Sequence, residues 1–225
     1  DKYKMDFRVG TEPEMMWLKR GEDGKPDGGF SEPYCYHIDQ FESLRPVFLQ
    51  VIEYCHAMGL DMIQGDHEDA PGQLELNWTF DDVVRNSDRL STYRQICAQV
   101  ARENNLIACF MTKPFMGVSA SGCHTNISLW KGGSESVNKL HNDVLPGMDD
   151  VFTYRSGGEN TFMPDTDDPQ MPGKVGLQCV GGIVKHLGAL TAIGSSTVNS
   201  YRRLWDTGFW APVFADWGYQ NRTTG

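Results

Sequence analysis

The spacing of polar and apolar residues divides most of the chain into strand-like and helix-like segments. Residues 7–18 alternate between polar and apolar around Glu12-Pro13-Glu14, which predicts a β-strand. Apolar residues at helical spacing predict three helices, over residues 40–58, 81–104 and 176–193. Short apolar runs between them predict the remaining strands, over residues 60–65, 73–79, 106–112 and 125–130.

Residues 131–175 do not follow this pattern. They are rich in Gly, Asp, Asn and Pro, which predicts a long insertion-like loop with a short helix near residues 137–145. Elsewhere strands and helices alternate, and the polar turns that flank the strands are typical of antiparallel pairs. We therefore predict an α+β fold, with a curved, mostly antiparallel sheet and helices on its outer face.

Composition narrows the classes of partner. The chain has 20 Lys and Arg against 30 Asp and Glu, and its net charge of −10 disfavours nucleic acid, whose phosphates are contacted by cations. A single nucleotide remains compatible, because a divalent ion can join acidic side chains to phosphates. No apolar run reaches the roughly 20 residues that cross a bilayer, so we expect no membrane partner. The six scattered cysteines form no CxxC pair, which is typical of reduced thiols and a cytoplasmic location.

Two acidic motifs are candidates for a metal site. Glu12 and Glu14 lie two residues apart on a predicted strand and therefore face the same way. The segment Asp66–Glu75 has three acids and a histidine before a Pro-Gly turn, and the turn can bring Glu68 and Glu75 together. Oxygen ligands of this kind suit Mg²⁺ or Mn²⁺. A solvated strand face and a solvated acidic loop are the alternative interpretations.

Two further motifs offer groups for ligand binding. Small residues at 117 and 119–122 allow close approach of a ligand to the backbone, and His124, Asn126 and Ser128 share one strand face. The segment Asn199–Arg203 supplies arginine forks, which bind carboxylates and phosphates. A structural histidine and ordinary surface arginines are the alternatives.

Taken together and in this order, these motifs resemble the glutamine synthetase family. The order is Glu-x-Glu, His-Glu with an acid seven residues on, Lys-Pro with a small-residue loop ending in His-x-Asn-x-Ser, Asn-Ser-Tyr-Arg-Arg-Leu, and Asn-Arg. The resemblance covers nearly the whole chain apart from residues 131–175. It implies an ATP-dependent ligase that needs Mg²⁺ or Mn²⁺, activates L-glutamate as γ-glutamyl phosphate, and transfers the acyl group to ammonia or an amine.

The resemblance also implies a role for each matching residue. The implied metal ligands are Glu12, Glu14, Glu68, Glu75 and His124. The implied ATP contacts are Phe80, Asn126, Ser128 and Arg222. The implied glutamate contacts are Glu14, Ala120, Gly122 and Arg203. Arg203 and Arg222 are the implied catalytic arginines.

One departure from the family pattern concerns the acceptor. Ammonia-using members carry a Glu before the Ala-Pro that follows the Arg-Leu segment, whereas this chain has Trp210. An indole in place of an anion removes the counter-charge for ammonium and adds apolar surface. We therefore expect an alkylamine or arylamine acceptor, as in relatives that make γ-glutamylmethylamide or γ-glutamylanilide. Glutamine synthesis from ammonia and a non-catalytic member are the alternatives.

The resemblance also implies a larger protein and an assembly. We expect residues 1–225 to be a segment of a catalytic domain, without the family's small N-terminal domain and C-terminal part. The family assembles as two stacked rings, so a homo-oligomer, commonly a dodecamer of two hexameric rings, is expected.

Overall fold

The architecture is taken from a computed structural model. It describes residues 3–23, 25–27, 35–132, 158–165, 167–168, 171–205 and 217–218, and the backbone of 136–137 and 154–155. The strands are β1 Asp6–Arg20, β2 Pro26–Asp27, β3 Met62–His67, β4 Gln73–Trp78, β5 Asp81–Asp82, β6 Leu106–Cys109, β7 Cys123–Lys131, β8 Ser136–Val137, β9 Tyr154–Arg155 and β10 Glu159–Asn160. The helices are α1 Ile38–Glu42, α2 Arg45–Ala57, α3 Val83–Glu103, α4 Lys174–Gly194 and α5 Val198–Arg202.

Strand β1 organises the main sheet, because its 15 residues pair with five other strands. Along one edge it pairs with β7 and then with β6, and along the other with β5, β4 and β2. All these pairs are antiparallel, and β3 and β10 extend the sheet beyond β4 and β7. The predicted antiparallel α+β fold is therefore confirmed.

The chain between β6 and β7 interrupts the ladder on one edge of β1. Pairing with β7 ends at Pro13 and pairing with β6 begins at Met16. In the gap, the Glu14 backbone N–H donates to the Gly122 carbonyl at 3.0 Å. The small-residue loop therefore meets β1 beside Glu14.

The two faces of the sheet have different chemistry because side chains alternate along each strand. One face packs on α2 and α3 through a buried core that includes Met15, Trp17, Leu74 and Tyr93. The opposite face carries Glu12, Glu14 and their neighbours. In the described part of the chain, α2 and α3 thus cover one face, while the other face has the acidic residues and a smaller buried cluster around Met16 and Leu18.

The predicted elements mostly hold, with four differences. Predicted strand 106–112 ends at Cys109, as β6. The predicted helix 40–58 is two helices, because Pro46 has no N–H to continue the ladder from α1 into α2. Predicted strand 60–65 lies two residues later, as β3. Val137, the start of the short helix predicted near 137–145, is instead in strand β8, and residues 138–150 lie outside the described residues.

Helix α3 begins as its sequence indicates. Asp82 is its N-cap, and the carboxylate accepts hydrogen bonds from the N–H groups of Val84 at 3.1 Å and Arg85 at 3.0 Å. These bonds satisfy donors that a helix start leaves without an intrahelical partner. The cap fixes where the helix leaves the sheet.

A buried ion cluster ties the start of α3 to the sheet. Arg89 is 6% exposed, and its guanidinium lies 3.4 Å from Asp61 and 3.6 Å from Asp81. Arg89 also donates to the Thr79 carbonyl at 3.3 Å. Both carboxylates are fully buried, so this cation compensates charge that water cannot reach.

Helix α4 is largely exposed within the described residues. It is the one helix in the described part of the chain whose length and composition would suit a membrane span. Core helices of soluble proteins share this length and composition, so the helix alone does not indicate a membrane span.

Candidate active site

The open face of the sheet carries a row of functional side chains contributed by β1 and β7. Paired residues of neighbouring strands point to the same face. The pairs in this row lie directly opposite each other: Glu12 and His124, Gly10 and Asn126, Arg8 and Ser128. The row therefore places a predicted metal pair next to two predicted nucleotide contacts.

A second row on the same face comes from β3 and β4. Glu75 lies between Glu14 of β1 and Asp66 of β3, and Asn77 lies opposite Gln64. The two rows border an open cavity of about 430 Å³. Four predicted metal ligands and one predicted nucleotide contact line it: Glu12, Glu68, Glu75, His124 and Asn126. Asp66, an acid of the predicted metal-binding segment, also lines it, as do Asn77, Gln64 and Tyr36, for which the sequence predicted no role.

Glu14 is held in place by three groups around its carboxylate. The Gly122 N–H donates to Oε2 at 2.8 Å, and Gln73 Nε2 donates to the same oxygen at 3.0 Å. His124 Nε2 lies 3.4 Å from Oε1. The Glu14 side chain is only 11% exposed, so these contacts orient the carboxylate from inside the fold.

The electrostatics of the face favour a cation. Burial raises the pKa of Glu75, and repulsion from Glu14 and Glu12 raises it further, while a hydrogen bond from Asn77 opposes the rise. The pKa of His124 is raised because its ring donates to Glu14, although burial opposes this. The carboxylates of Glu12 and Glu14 contribute to both shifts, and a divalent ion would compensate their negative charge.

The donor set fits the metal chemistry that the family implies. Carboxylate oxygens and one imidazole nitrogen on a single face are suitable ligands for Mg²⁺ or Mn²⁺. Within the described residues, no three or more His, Cys, Asp or Glu side chains are grouped closely enough to hold a metal ion. The fit therefore rests on the type of donor and on the shared face.

Gly122 lies where three functional groups converge. A Cβ added at this position would lie 3.0 Å from His124 Nε2, 3.1 Å from Arg203 Nη2 and 3.1 Å from Glu14 Oε1. The structure thus brings Arg203 to Glu14 and His124, although Arg203 follows Gly122 by about 80 residues. Ala120, the other predicted loop contact, accepts a hydrogen bond from Gln73 Nε2 through its carbonyl at 3.2 Å.

Substitution of Gly122 by alanine tests this convergence. The methyl group would crowd a carboxylate, an imidazole and a guanidinium together, so we expect the KM for the anionic substrate that the resemblance implies to rise about 10- to 100-fold. Gly122 has no left-handed φ, so the melting temperature should change little. Unchanged kinetics with that substrate in a folded variant would contradict the arrangement.

The far end of the row is aromatic. Phe80, a predicted ATP contact, lies over Gly10, whose added Cβ would be 3.5 Å from Phe80 Cβ. Phe80 and Trp130 have nearly parallel rings with centroids 6.2 Å apart, and Trp130 Nε1 donates to Ser128 at 2.8 Å. The Arg8 guanidinium lies 4.3 Å from the Trp130 ring centre. Extending the alternation of 124, 126 and 128 by one step would have indicated Trp130.

Ser119 is also tied into the site. Its hydroxyl donates to Asp69, which joins the small-residue loop to the acidic segment before β4. Two other predicted residues, Arg222 and Trp210, lie outside the described residues. Their roles stay predictions from the sequence.

Comparison with known proteins gives one consistent family. The family named "Glutamine synthetase, catalytic domain" matches residues 1–158 and 152–225. The chain is 31% identical over 228 residues to the glutamine synthetase of Rhizobium meliloti, covering 96% of this chain and 46% of that protein. It is also 31% identical over 219 residues to that of Pyrococcus furiosus, covering 96% of this chain and 42% of that protein.

Solved structures agree. "Apo GmaS without ligand" superposes with a TM-score of 0.71 at 28% identity, covering 90% of this chain and 42% of that one. "Crystal structure of novel glutamine synthase homolog" has a TM-score of 0.75 at 20% identity, covering 99% and 45%, and supports the fold alone. The chain belongs to the glutamine synthetase family. It spans less than half the length of these relatives and structures.

Proposed function

We propose that this chain carries much of the active site of an ATP-dependent ligase that joins the γ-carboxylate of L-glutamate to an amine. The main support is that Glu14, His124 and Arg203 lie close together around Gly122, at the edge of an acidic cavity. Carboxylates that share a site need cations, and a guanidinium recognises an anionic substrate. The need for cations and the presence of a guanidinium both suit a reaction between two anions, glutamate and ATP.

The reaction balances in two steps. A γ-carboxylate oxygen of glutamate attacks the γ-phosphorus of ATP, and ADP leaves. The amine nitrogen then attacks the γ-carbonyl carbon and loses a proton, and phosphate leaves with the carboxylate oxygen. Mg²⁺ or Mn²⁺, held by Glu12, Glu14, Glu68, Glu75 and His124, would supply positive charge against the phosphate oxygens.

The side chains have separable tasks in this scheme. Arg203 would bind a carboxylate of the substrate glutamate through its planar fork. The Gly122 N–H and Gln73 hold the Glu14 carboxylate in one orientation, so that it needs no reorganisation when charge develops. Phe80 and Trp130, at the far end of the row, would bind the nucleoside by stacking.

An organic amine is the proposed acceptor. Trp210 stands where ammonia-using members carry an anion, and the protein called GmaS is 28% identical over 90% of this chain. The alternative is ammonia, which is supported by 31% identity to relatives named glutamine synthetase. A non-catalytic role is disfavoured, because a scaffold has no need of four candidate metal donors, Glu12, Glu68, Glu75 and His124, around one cavity.

The test is phosphate release by the full-length protein with ATP, Mg²⁺ and glutamate against ammonia, methylamine, larger alkylamines and aniline. We expect release that depends on glutamate and is fastest with an organic amine. Release with ammonia alone would make the protein a glutamine synthetase. No release by folded protein that binds ATP would favour the non-catalytic alternative.

Exchange of Trp210 for glutamate tests the origin of acceptor preference. The new carboxylate would attract ammonium and remove apolar surface, so the ratio of kcat/KM for ammonia to that for methylamine should rise about tenfold or more. Trp205→Glu, which adds the same charge at an exposed tryptophan five residues away, is the matched control. An unchanged ratio in Trp210→Glu, or an equal shift in both variants, would contradict the assignment.

A further inference from the structure

The side chain of Asn199 binds both peptide groups of Lys113. The Lys113 N–H donates to Asn199 Oδ1 at 2.8 Å, and Asn199 Nδ2 donates to the Lys113 carbonyl at 2.8 Å. The Asn199 side-chain amide thereby makes the two hydrogen bonds that a neighbouring strand would make to Lys113. It joins two segments separated by 86 positions in the chain.

Lys113 is suited to this pairing by its sequence position. It precedes Pro114, which disfavours helical backbone at residue 113 and has no N–H of its own. Lys113 is only 1% exposed, so its N–H and carbonyl need protein partners. The Ser121 N–H donates to the Thr112 carbonyl at 2.8 Å, which closes the loop just beside this point.

The same helical turn reaches the other end of the loop. Thr197 caps α5 and accepts from the Ser200 N–H at 3.2 Å. Asn199 and Arg203 are four residues apart and therefore lie on one side of this turn. Asn199 binds the start of the loop at Lys113, while Arg203 Nη2 lies near Gly122 at its end.

We propose that Asn199 is a positioning residue for the glutamate site, because its two bonds to Lys113 hold α5 so that Arg203 meets Glu14 at Gly122. Asn199 need not touch any substrate in this role. The inference rests on the proposed function only in naming glutamate as the ligand of Arg203. The docking of α5 on the loop stands independently of that function.

The test uses Asn199→Ala in the full-length protein. Loss of two hydrogen bonds that hold a binding group should raise the KM for glutamate about tenfold or more. The KM for ATP should stay within about twofold, because the nucleotide contacts lie at the far end of β7. Asn199→Asp keeps the size and the acceptor but places a carboxylate oxygen against the Lys113 carbonyl. Asn199→Asp should likewise raise the KM for glutamate and leave the KM for ATP nearly unchanged. It replaces the alanine variant in the test if that variant does not fold.

Asn104→Ala is the matched control. The Asn104 amide also donates two hydrogen bonds, to Gln50 and to the Val100 carbonyl, but on the outer side of α2 and α3. We expect neither KM to change in this variant. A purely structural role for Asn199 would lower stability without separating the two substrates.

Hydrogen–deuterium exchange separates failure of this inference from failure of the proposed function. In Asn199→Ala, exchange should increase in peptides covering residues 112–122 and stay unchanged in α3. If wild-type protein releases no phosphate with glutamate, the proposed function fails while the exchange result still decides the docking. Unchanged exchange in the loop, or equal changes in both KM values, would overturn the inference.

Discussion

Replacement of Glu14 by glutamine should nearly abolish glutamate-dependent phosphate release, lowering kcat/KM by about 10³-fold or more. Glu14 is the point where the two rows of the site meet, since it pairs with Glu75 across the strands and contacts His124. The substitution keeps the size of the side chain but removes a charge that a divalent ion needs. The glutamine oxygen can still accept from Gly122 and Gln73, which places the new amide N–H on the side of His124.

The control for this variant is Glu53→Gln, which removes the same charge from an exposed position on α2. Glu53→Gln should retain full activity. Retained activity in Glu14→Gln, at less than a tenfold loss, would contradict the assignment of Glu14 as a metal ligand. Isothermal titration calorimetry should show weaker Mn²⁺ binding in Glu14→Gln and unchanged Mn²⁺ binding in Glu53→Gln.

Arg89→Leu should lower the free energy of unfolding by about 3–5 kcal/mol, because it leaves Asp61 and Asp81 buried without their shared cation. Both carboxylates are fully buried. Denaturant unfolding followed by circular dichroism measures the loss. The effect should appear in stability first, since the cluster lies at the start of α3 and away from the acidic cavity.

Arg85→Leu provides the comparison. Arg85 also pairs with Asp81, at 3.2 Å, but its side chain is 42% exposed. Solvent screens Arg85, and Asp81 keeps Arg89 as its buried cation, so this variant should lose only about 1 kcal/mol or less. Equal losses in both variants would show that burial does not decide the energetics of this cluster.

The sequence predicts those features of the fold that depend on local pattern. Alternation predicts β1 and β7, and it places Glu12 with Glu14, and His124 with Asn126, on single faces. Asp82 indicates the start of α3 because a short acidic side chain caps free N–H groups. Such features depend on neighbours within a few residues.

Features set by distant partners could not be predicted in the same way. Alternation does not show that one strand pairs with five others, nor that β6 and β7 leave a gap at Glu14. The contact between Asn199 and Lys113 likewise depends on how α5 docks. Pro46 indicates the break within residues 40–58, but the helical spacing of the apolar residues around it favours one continuous helix.

Transfer of oxygen from glutamate to phosphate tests the central claim most directly. The full-length protein would be given ATP, Mg²⁺, methylamine and glutamate labelled with ¹⁸O in the γ-carboxylate, and the released phosphate would be analysed by mass spectrometry. Activation as γ-glutamyl phosphate predicts one ¹⁸O atom in each phosphate formed. Phosphate released with glutamate and amine present but without ¹⁸O would contradict an acyl-phosphate ligase.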